Sequence, residues 1–228
     1  MELPPLIIED VLVPAVSPEV LDELLACGWR HFGRQFFRYS ISIEDGGALQ
    51  RIMPLRLDVA EFQPSKSQRR VLRRNADVIV RVAPATVDEQ REAMFQRHKA
   101  RFKSNVPDSL RDFLPEAETS RVPCECREVQ MWEDDRLLAV SYLDLGREAV
   151  SSVYAIFEPD AARRSPGIFT LLQEIEFARA SGRRFLYPGY ATVEPGHYDY
   201  KKQFRGLHWF DWLGGWHPLH TCGAGFGS

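Results

Sequence analysis

The stretch that most constrains this chain is residues 151–204, SSVYAIFEPDAARRSPGIFTLLQEIEFARASGRRFLYPGYATVEPGHYDYKKQF. An apolar, β-branched and aromatic run (151–157) leads into a turn-rich connector. Ser165-Pro166-Gly167 then opens an amphipathic helix, Gly182 closes it, and a second apolar run (185–190) follows at once. This strand–helix–strand unit predicts two parallel neighbouring strands joined by a right-handed crossover. Such sheets bind ligands beyond the carboxyl ends of their strands, where a helix N-terminus offers free N–H groups to an anion. The chemistry is expected there, with Ser165 and Gly167 at the anion- or donor-binding helix start.

The rest of the chain can bury a core around this unit. Of 228 residues, 44% are hydrophobic and 11% aromatic, which argues against global disorder. A net charge of −3 argues against a non-specific nucleic-acid coat, but a local basic patch remains open because binding depends on where charge sits. No window has the apolar length needed to span a membrane. The N-terminal MELPPLIIEDVLVPAV lacks a basic leader and carries Glu9 and Asp10, so a cytoplasmic location is expected. Of Cys27, Cys124, Cys126 and Cys222, only Cys124 and Cys126 are close, without paired C-x-x-C spacing. They read as reduced thiols, and no metal is expected.

Residues 1–16, punctuated by Pro4, Pro5 and Pro14, read as an arm or edge strand. Ser17-Pro18-Glu19 starts a helix with a stripe of Val20, Leu21, Leu24 and Leu25, ended by Gly28. Residues 32–43 alternate as a strand, Asp45-Gly46-Gly47 marks a turn, and 49–59 reads as a returning strand. This predicts a small β-containing module over 1–63, joined at Pro64 to a larger domain over 64–228. Ser65 caps SKSQRRVLRRN, in which Lys66, Arg69, Arg70, Arg73 and Arg74 fall on neighbouring helical faces with no acidic residue among them. Five like charges repel one another unless an anion balances them, and phosphates are the natural candidates.

A short strand over 77–83 follows, then a helix from Thr86 to about 102 and another short one over 107–114. Strands at 126–132, 136–145 and 151–157 are separated by hairpin-length loops and should be antiparallel neighbours. After the crossover helix come the 185–190 strand, a short helix over 198–204, an aromatic tail with a last strand or two, and a frayed TCGAGFGS end. The fold class is α+β: a mixed sheet flanked by helices. Its element order resembles the GNAT acyltransferase fold.

Several stretches resemble one family closely. Gly28-Trp29-Arg30-His31-Phe32-Gly33 with Phe36-Phe37-Arg38-Tyr39 is similar to the "GWRRFG…FYRP" opening of the arginyl-tRNA–protein transferases. VAEFQPSKSQRRVLRRN (59–75) resembles their V-x-x-F-x-P-S-x-S-Q-R-R-x-x-R-R-N. Residues 137–140, 151–154, 173–176, Gly189-Tyr190, and Tyr200-Lys201 with Phe204 resemble further blocks. The matches run in order over residues 26–204. The resemblance implies a GNAT-like catalytic half that moves an amino acid from aminoacyl-tRNA to the α-amino group of a protein with an acidic N-terminal residue. Arginine is the expected donor amino acid and leucine the alternative; the product enters an N-degron pathway.

The pattern departs from the family in two places. Members carry a cysteine-rich stretch after "FYRP", linked to a metal cluster, whereas SISIEDGGALQRI (40–52) has no cysteine. Pro188 stands where a strand residue is expected; it cannot donate to a ladder, and a GNAT sheet tolerates it because its central strands splay there.

Aminoacyl transfer needs no cofactor, since the ester is already activated. The protein must position both substrates, keep the amine neutral and stabilise an oxyanion. Arg69, Arg70, Arg73 and Arg74 are the first candidates for the tRNA backbone, with Lys201, Lys202 and Arg205 second. Tyr190, Tyr154 and Glu176, the carboxylate on the crossover helix, are the catalytic candidates, and Tyr154, Tyr190 and Tyr200 could line the pocket. No His has a Ser or Cys partner at a telling spacing, and no H-E-x-x-H, P-loop or G-x-G-x-x-G occurs. RRSPGI holds one Gly for a donor pyrophosphate, with Arg163 and Arg164 beside it. An acyl-CoA-dependent acetyltransferase and a non-catalytic binder of tRNA or acidic N-termini are the rival readings.

Overall fold

The computed structural model describes residues 5–43, 47–102, 106–196 and 199–219. Strand β1 (Ile8–Leu12) is exposed along its length and leads to helix α1 (Pro18–Ala26). The Ser17 side chain caps α1 by accepting from Val20 N, and Gly28, at φ +81°, turns the chain away just beyond the C-cap Cys27.

The strand expected over 32–43 is instead three pieces: β2 (Arg30–Phe32), β3 (Gln35–Tyr39) and β4 (Ile41–Ile43). Gly33, at φ +53°, makes the first break; a Cβ on it would lie 2.3 Å from Pro115 Cγ. Buried Ser40 makes the second, because its Oγ donates to Pro5 O at 2.7 Å and accepts from Ile7 N at 3.0 Å. β4 pairs antiparallel with the long strand β5 (Leu49–Asp58), as the turn signal predicts; residues 44–46 of that turn lie outside the described residues.

Helix α2 (Lys66–Arg74) starts with a full capping box: Ser65 Oγ accepts from Gln68 N, and Gln68 Oε1 accepts from Ser65 N at 2.8 Å. Strand β6 (Ile79–Pro84) follows. Helix α3 (Glu89–Lys99) begins later than Thr86 because Asp88 is the cap, its Oδ1 accepting from Arg91 N at 2.9 Å. The helix expected over 107–114 is a single 3-10 turn, Leu110–Asp112.

The remaining elements are β7 (Cys126–Glu133), β8 (Arg136–Leu145), β9 (Ala149–Phe157), α4 (Pro166–Ala180), β10 (Phe185–Thr192), β11 (Leu207–Phe210) and β12 (Trp216–Pro218). The helix expected over 198–204 is a 3-10 turn at Lys201–Gln203; His197, Tyr198 and the 220–228 tail lie outside the described residues.

The large sheet runs β12-β11-β5-β10-β9-β8-β7-β6, and β1-β3-β2 form a small one. β5 comes from the expected N-terminal module, yet it runs between β11 and β10, so the large sheet is built from both sides of residue 63. Among the described residues, β9 and β10 are the parallel pair, joined by α4, and the other paired strands are antiparallel. This is the mixed, GNAT-like sheet that the element order predicts.

Helix α4 packs on one face, where Phe169, Leu172 and Ile175 meet Leu143, Val150 and Leu186, with Val71 of α2 beside them. On the other face, Met94 and Phe95 of α3 cover Val140, Tyr142 and Ile156. Leu21 and Leu25 of α1 meet Phe36, Ala149 and Tyr187. Each such side chain contributes about 1.5–3 kcal/mol on burial, enough to fix where the helices sit.

Candidate active site

β9 and β10 pair over only three residues, Ala149–Ser151 against Phe185–Tyr187, and then part. Pro188 lies where β10 shifts register against β5, between Leu186 and Gly189. β9 bulges against β8: Tyr142 faces Tyr154 and Leu143 faces Ser152, leaving Val153 extra. Strands that part inside a sheet leave carbonyls needing donors. Arg30, from β2, supplies them. Its Nη2 donates to Ser152 O on one lip of the split, and its Nη1 donates to Tyr187 O at 3.4 Å on the other and to Ser151 Oγ at 2.8 Å.

Two more ionisable groups share the split. Glu174 of α4 is 3% exposed and accepts from Ser152 Oγ. Burial raises its pKa to about 7, against the opposing pull of the Ser152 and Ser141 hydroxyls and the charges of Lys201 and Arg30. Lys201 Nζ donates to Tyr190 O at 3.4 Å. Its desolvation, and then the positive charge of Arg30, lower its pKa to about 7, while Glu174 acts in the opposite sense. Gly189, at φ +94°, makes room for both cations: a Cβ there would lie 3.3 Å from Lys201 Nζ and 3.8 Å from Arg30 Nη2. Burial also depresses the pKa of Arg30. The split therefore holds a guanidinium, a carboxyl and an amine, the last two able to exchange protons near neutrality.

The residues expected from sequence fall in several places. Glu176 points outward and pairs with Arg179 at 2.8 Å on the α4 surface; Glu174 is the carboxyl that faces the split. The Tyr190 hydroxyl, expected to line the pocket as a catalytic group, donates to Gly28 O at 2.6 Å, two residues before Arg30. Edge contacts with Tyr39 and Trp212 hold its ring, and burial raises its pKa. That makes Tyr190 an anchor for the segment that delivers Arg30. Tyr154 stacks on Phe113 with centroids 3.9 Å apart and packs by Phe95, so the bulge puts its ring in the core under α3. Tyr200 packs against the core on the α4 side.

Ser165 stands at the start of α4 in a left-handed conformation (φ +55°), and its side chain makes no capping bond. Its Oγ instead accepts from Arg74 Nη1 at 3.3 Å, while the same nitrogen donates to Arg163 O at 2.6 Å. Gly167 is open: an added Cβ would meet nothing within 4 Å. Arg164 is committed to Asp77 at 2.8 Å and to Glu133, so it is held away from any donor phosphate. Arg69, Arg70, Arg73 and Arg74 are all exposed on α2, Arg74 lies against the α4 N-terminus, and none is in an ion pair among the described residues. Lys202 pairs with Asp199 at 2.6 Å on the rim, and Lys201 turns into the split rather than toward a surface phosphate.

Sequence reasoning missed Arg30 as a site residue and chose Glu176 rather than Glu174 as the carboxylate of α4. A signal for Glu174 was present. With Leu171, Ile175 and Ala178 it forms the i, i+3, i+4, i+7 stripe of α4, which places a carboxyl on the buried face. Segment 40–52, where the resemblance puts a metal cluster, carries no cysteine and does not fit one.

A split parallel pair under a crossover helix, with a buried carboxyl and two half-buried cations inside it, defines a GNAT-like α+β protein with a polar cleft in its sheet. The chain belongs to the arginine-tRNA-protein transferase family: the model of that family's N terminus matches residues 7–70 and that of its C terminus matches 87–211. An aspartate/glutamate leucyltransferase of Xylella fastidiosa (strain M23) is 30% identical over 212 residues, 89% of this chain and 80% of that protein. One from Xanthomonas campestris pv. campestris (strain B100) is 34% identical over 169 residues, 70% of this chain and 66% of its own length. Among solved structures, a GCN5-related N-acetyltransferase from Kribbella flavida aligns with a TM-score of 0.36 at 15% identity, covering 71% of this chain and 63% of its own. No helix among the described residues is long and apolar enough to cross a membrane.

Proposed function

We propose that this chain transfers an aminoacyl group from aminoacyl-tRNA to the α-amino group of a protein that begins with Asp or Glu. The observation that carries this reading is Glu174 buried in the split between Arg30 and Lys201. An α-ammonium titrates near 8, so a carboxyl raised to about 7 is well matched to take its proton. The freed amine attacks the ester carbonyl and a C–N bond forms. The C–O bond to the tRNA ribose breaks, and the ribose oxygen leaves with a proton. No cofactor enters this scheme, because the ester is the activated species.

Arg30 and Lys201 supply the positive field for the acceptor's acidic side chain. The α4 start at Ser165 and Gly167 faces the donor, and Arg69, Arg70, Arg73 and Arg74 hold the tRNA backbone. Leucine is the donor amino acid this reading favours, since relatives named aspartate/glutamate leucyltransferase align over most of the chain. Arginine, expected from the motifs, is the second reading and is supported by the family's own description. Modification of acidic N-termini as degradation signals follows from either.

Single-turnover transfer tests it. Purified protein is mixed with labelled leucyl- or arginyl-tRNA and peptides beginning with Asp, Glu or Ala. Label from leucyl-tRNA on the Asp and Glu peptides alone is expected. Label from arginyl-tRNA alone selects the second reading, and no label from either donor with the protein folded rejects the reaction.

A further inference from the structure

One side-chain cluster lies outside the split. His31 (7% exposed), Cys124 (4%), Cys126 (2%) and Asp144 (2%) are buried together. The carboxylates beside Cys124 and Cys126 in the chain pair elsewhere, Glu125 with Arg127 and Glu128 with Arg91; the fold adds an imidazole from β2 and a carboxylate from β8. Cys126 and Asp144 are directly opposed across β7 and β8, but the Cys126 thiol donates to Arg127 O at 3.7 Å. His31 Nε2 lies 3.0 Å from Asp144 Oδ2 and 3.8 Å from Cys124 Sγ, and the three ligand atoms fall within 4.8 Å of one another.

We propose that His31, Cys124 and Asp144 form a three-ligand site for a tetrahedral, thiolate-seeking divalent cation, with zinc as the best fit.

Three observations carry this. First, His31 Nδ1 faces Gly33 O at 2.9 Å. A carbonyl can only accept, so Nδ1 carries the hydrogen, and in the neutral ring Nε2 presents a lone pair. A histidine tied to a backbone carbonyl through its second nitrogen is the usual arrangement of a metal ligand. Second, that lone pair faces a carboxylate oxygen at 3.0 Å, and Asp144 Oδ2 is buried with no hydrogen-bond partner. Two acceptors at that distance require a positive charge between them. A proton would serve, but it leaves the buried Cys124 thiol, 3.8 Å from the same imidazole nitrogen, without a role. Third, the spacing suits the ion: bonds of about 2.0–2.3 Å at tetrahedral angles put ligand atoms roughly 3.3–3.6 Å apart, so closing on a cation needs small side-chain shifts. Zinc binds as Cys124 releases a proton to solvent and becomes a thiolate, with His31 and the Asp144 carboxylate as the other ligands and water in the fourth position.

The ion would clasp β2 onto the large sheet. His31 is the residue after Arg30, and Asp144 is opposed to Ser151, to which Arg30 donates. Metal at His31 therefore fixes the segment that carries the guanidinium into the split.

The test uses the full chain. Cobalt(II) is titrated into metal-free protein and read by thiolate-to-cobalt charge transfer and by tetrahedral d–d absorption. The expected result is saturation at one ion per chain, with both features removed by excess zinc. Loss of the charge-transfer band in the Cys124→Ser variant assigns the sulfur. A band that persists in that variant, or no band in the wild type, overturns the site. If the variant does not fold, wild-type protein is alkylated with and without zinc and mapped by mass spectrometry. Zinc should protect Cys124 but not exposed Cys27. Equal labelling in both conditions overturns the proposal.

Discussion

Arg30 Nη1 donates to Ser151 Oγ at 2.8 Å across 121 residues of sequence, and the same guanidinium reaches carbonyls on both lips of the sheet split. The split stays open because this one side chain satisfies what strand pairing would otherwise satisfy. Arg30→Ala should therefore destabilise the fold by about 1–3 kcal/mol through unsatisfied buried carbonyls. Arg30→Lys should recover only part of it, since an ammonium lacks the planar fork. Urea denaturation midpoints of the two variants check this ordering.

Glu174 must be ionised to accept a proton, so transfer should rise with pH through about 7, the value to which burial raises it. Glu174→Gln should lower the single-turnover rate about 10²–10⁴-fold and abolish that limb of the profile. Glu176→Ala, on the outer face of α4, should leave the rate and the profile unchanged.

Lys201 carries a linked stability effect of defined sign. Its folded pKa of about 7 lies below its ordinary value of 10.5, so between those limits the unfolded chain binds more protons at this site. The contribution of Lys201 to stability therefore increases as pH rises from about 7 to 10.5. Lys201→Met should remove that increment, seen as a flatter dependence of the urea midpoint on pH over this range.

Arg91 and Glu128 form a buried pair under α3, with Arg91 Nε donating to Glu128 Oε2 at 2.9 Å and Glu128 1% exposed. Arg91→Ala strands a buried carboxylate and should cost about 3–5 kcal/mol. The double variant Arg91→Met, Glu128→Leu should recover most of that loss in thermal unfolding.

The exposed arginines of α2 have no carboxylate partner among the described residues, which suits a phosphate-binding face. Replacing Arg70 and Arg73 by Ala should weaken tRNA binding and reduce the slope of log affinity against log salt by about 2. Filter binding at several salt concentrations reads it, and an unchanged slope removes the phosphate role.

Local chemistry made much of this protein legible in its sequence. The Ser65 capping box, the Gly182 helix end, the hairpin loops of β7–β8–β9 and the crossover through α4 each depend on neighbours a few residues away, and each appears where the sequence predicts it. The Glu174 stripe was legible too, since helical periodicity alone places it inside. Arg30 in the split, Lys201 beside Gly189, Tyr190 tied to Gly28 and His31 against Asp144 were decided only by tertiary structure. Their partners lie far away in sequence, and spacing along the chain carries no information about which strand ends part, which bulge reverses a face, or which buried groups meet. Desolvation and Coulomb interactions set the proton affinities of Glu174 and Lys201, and both arise only when distant segments close around them.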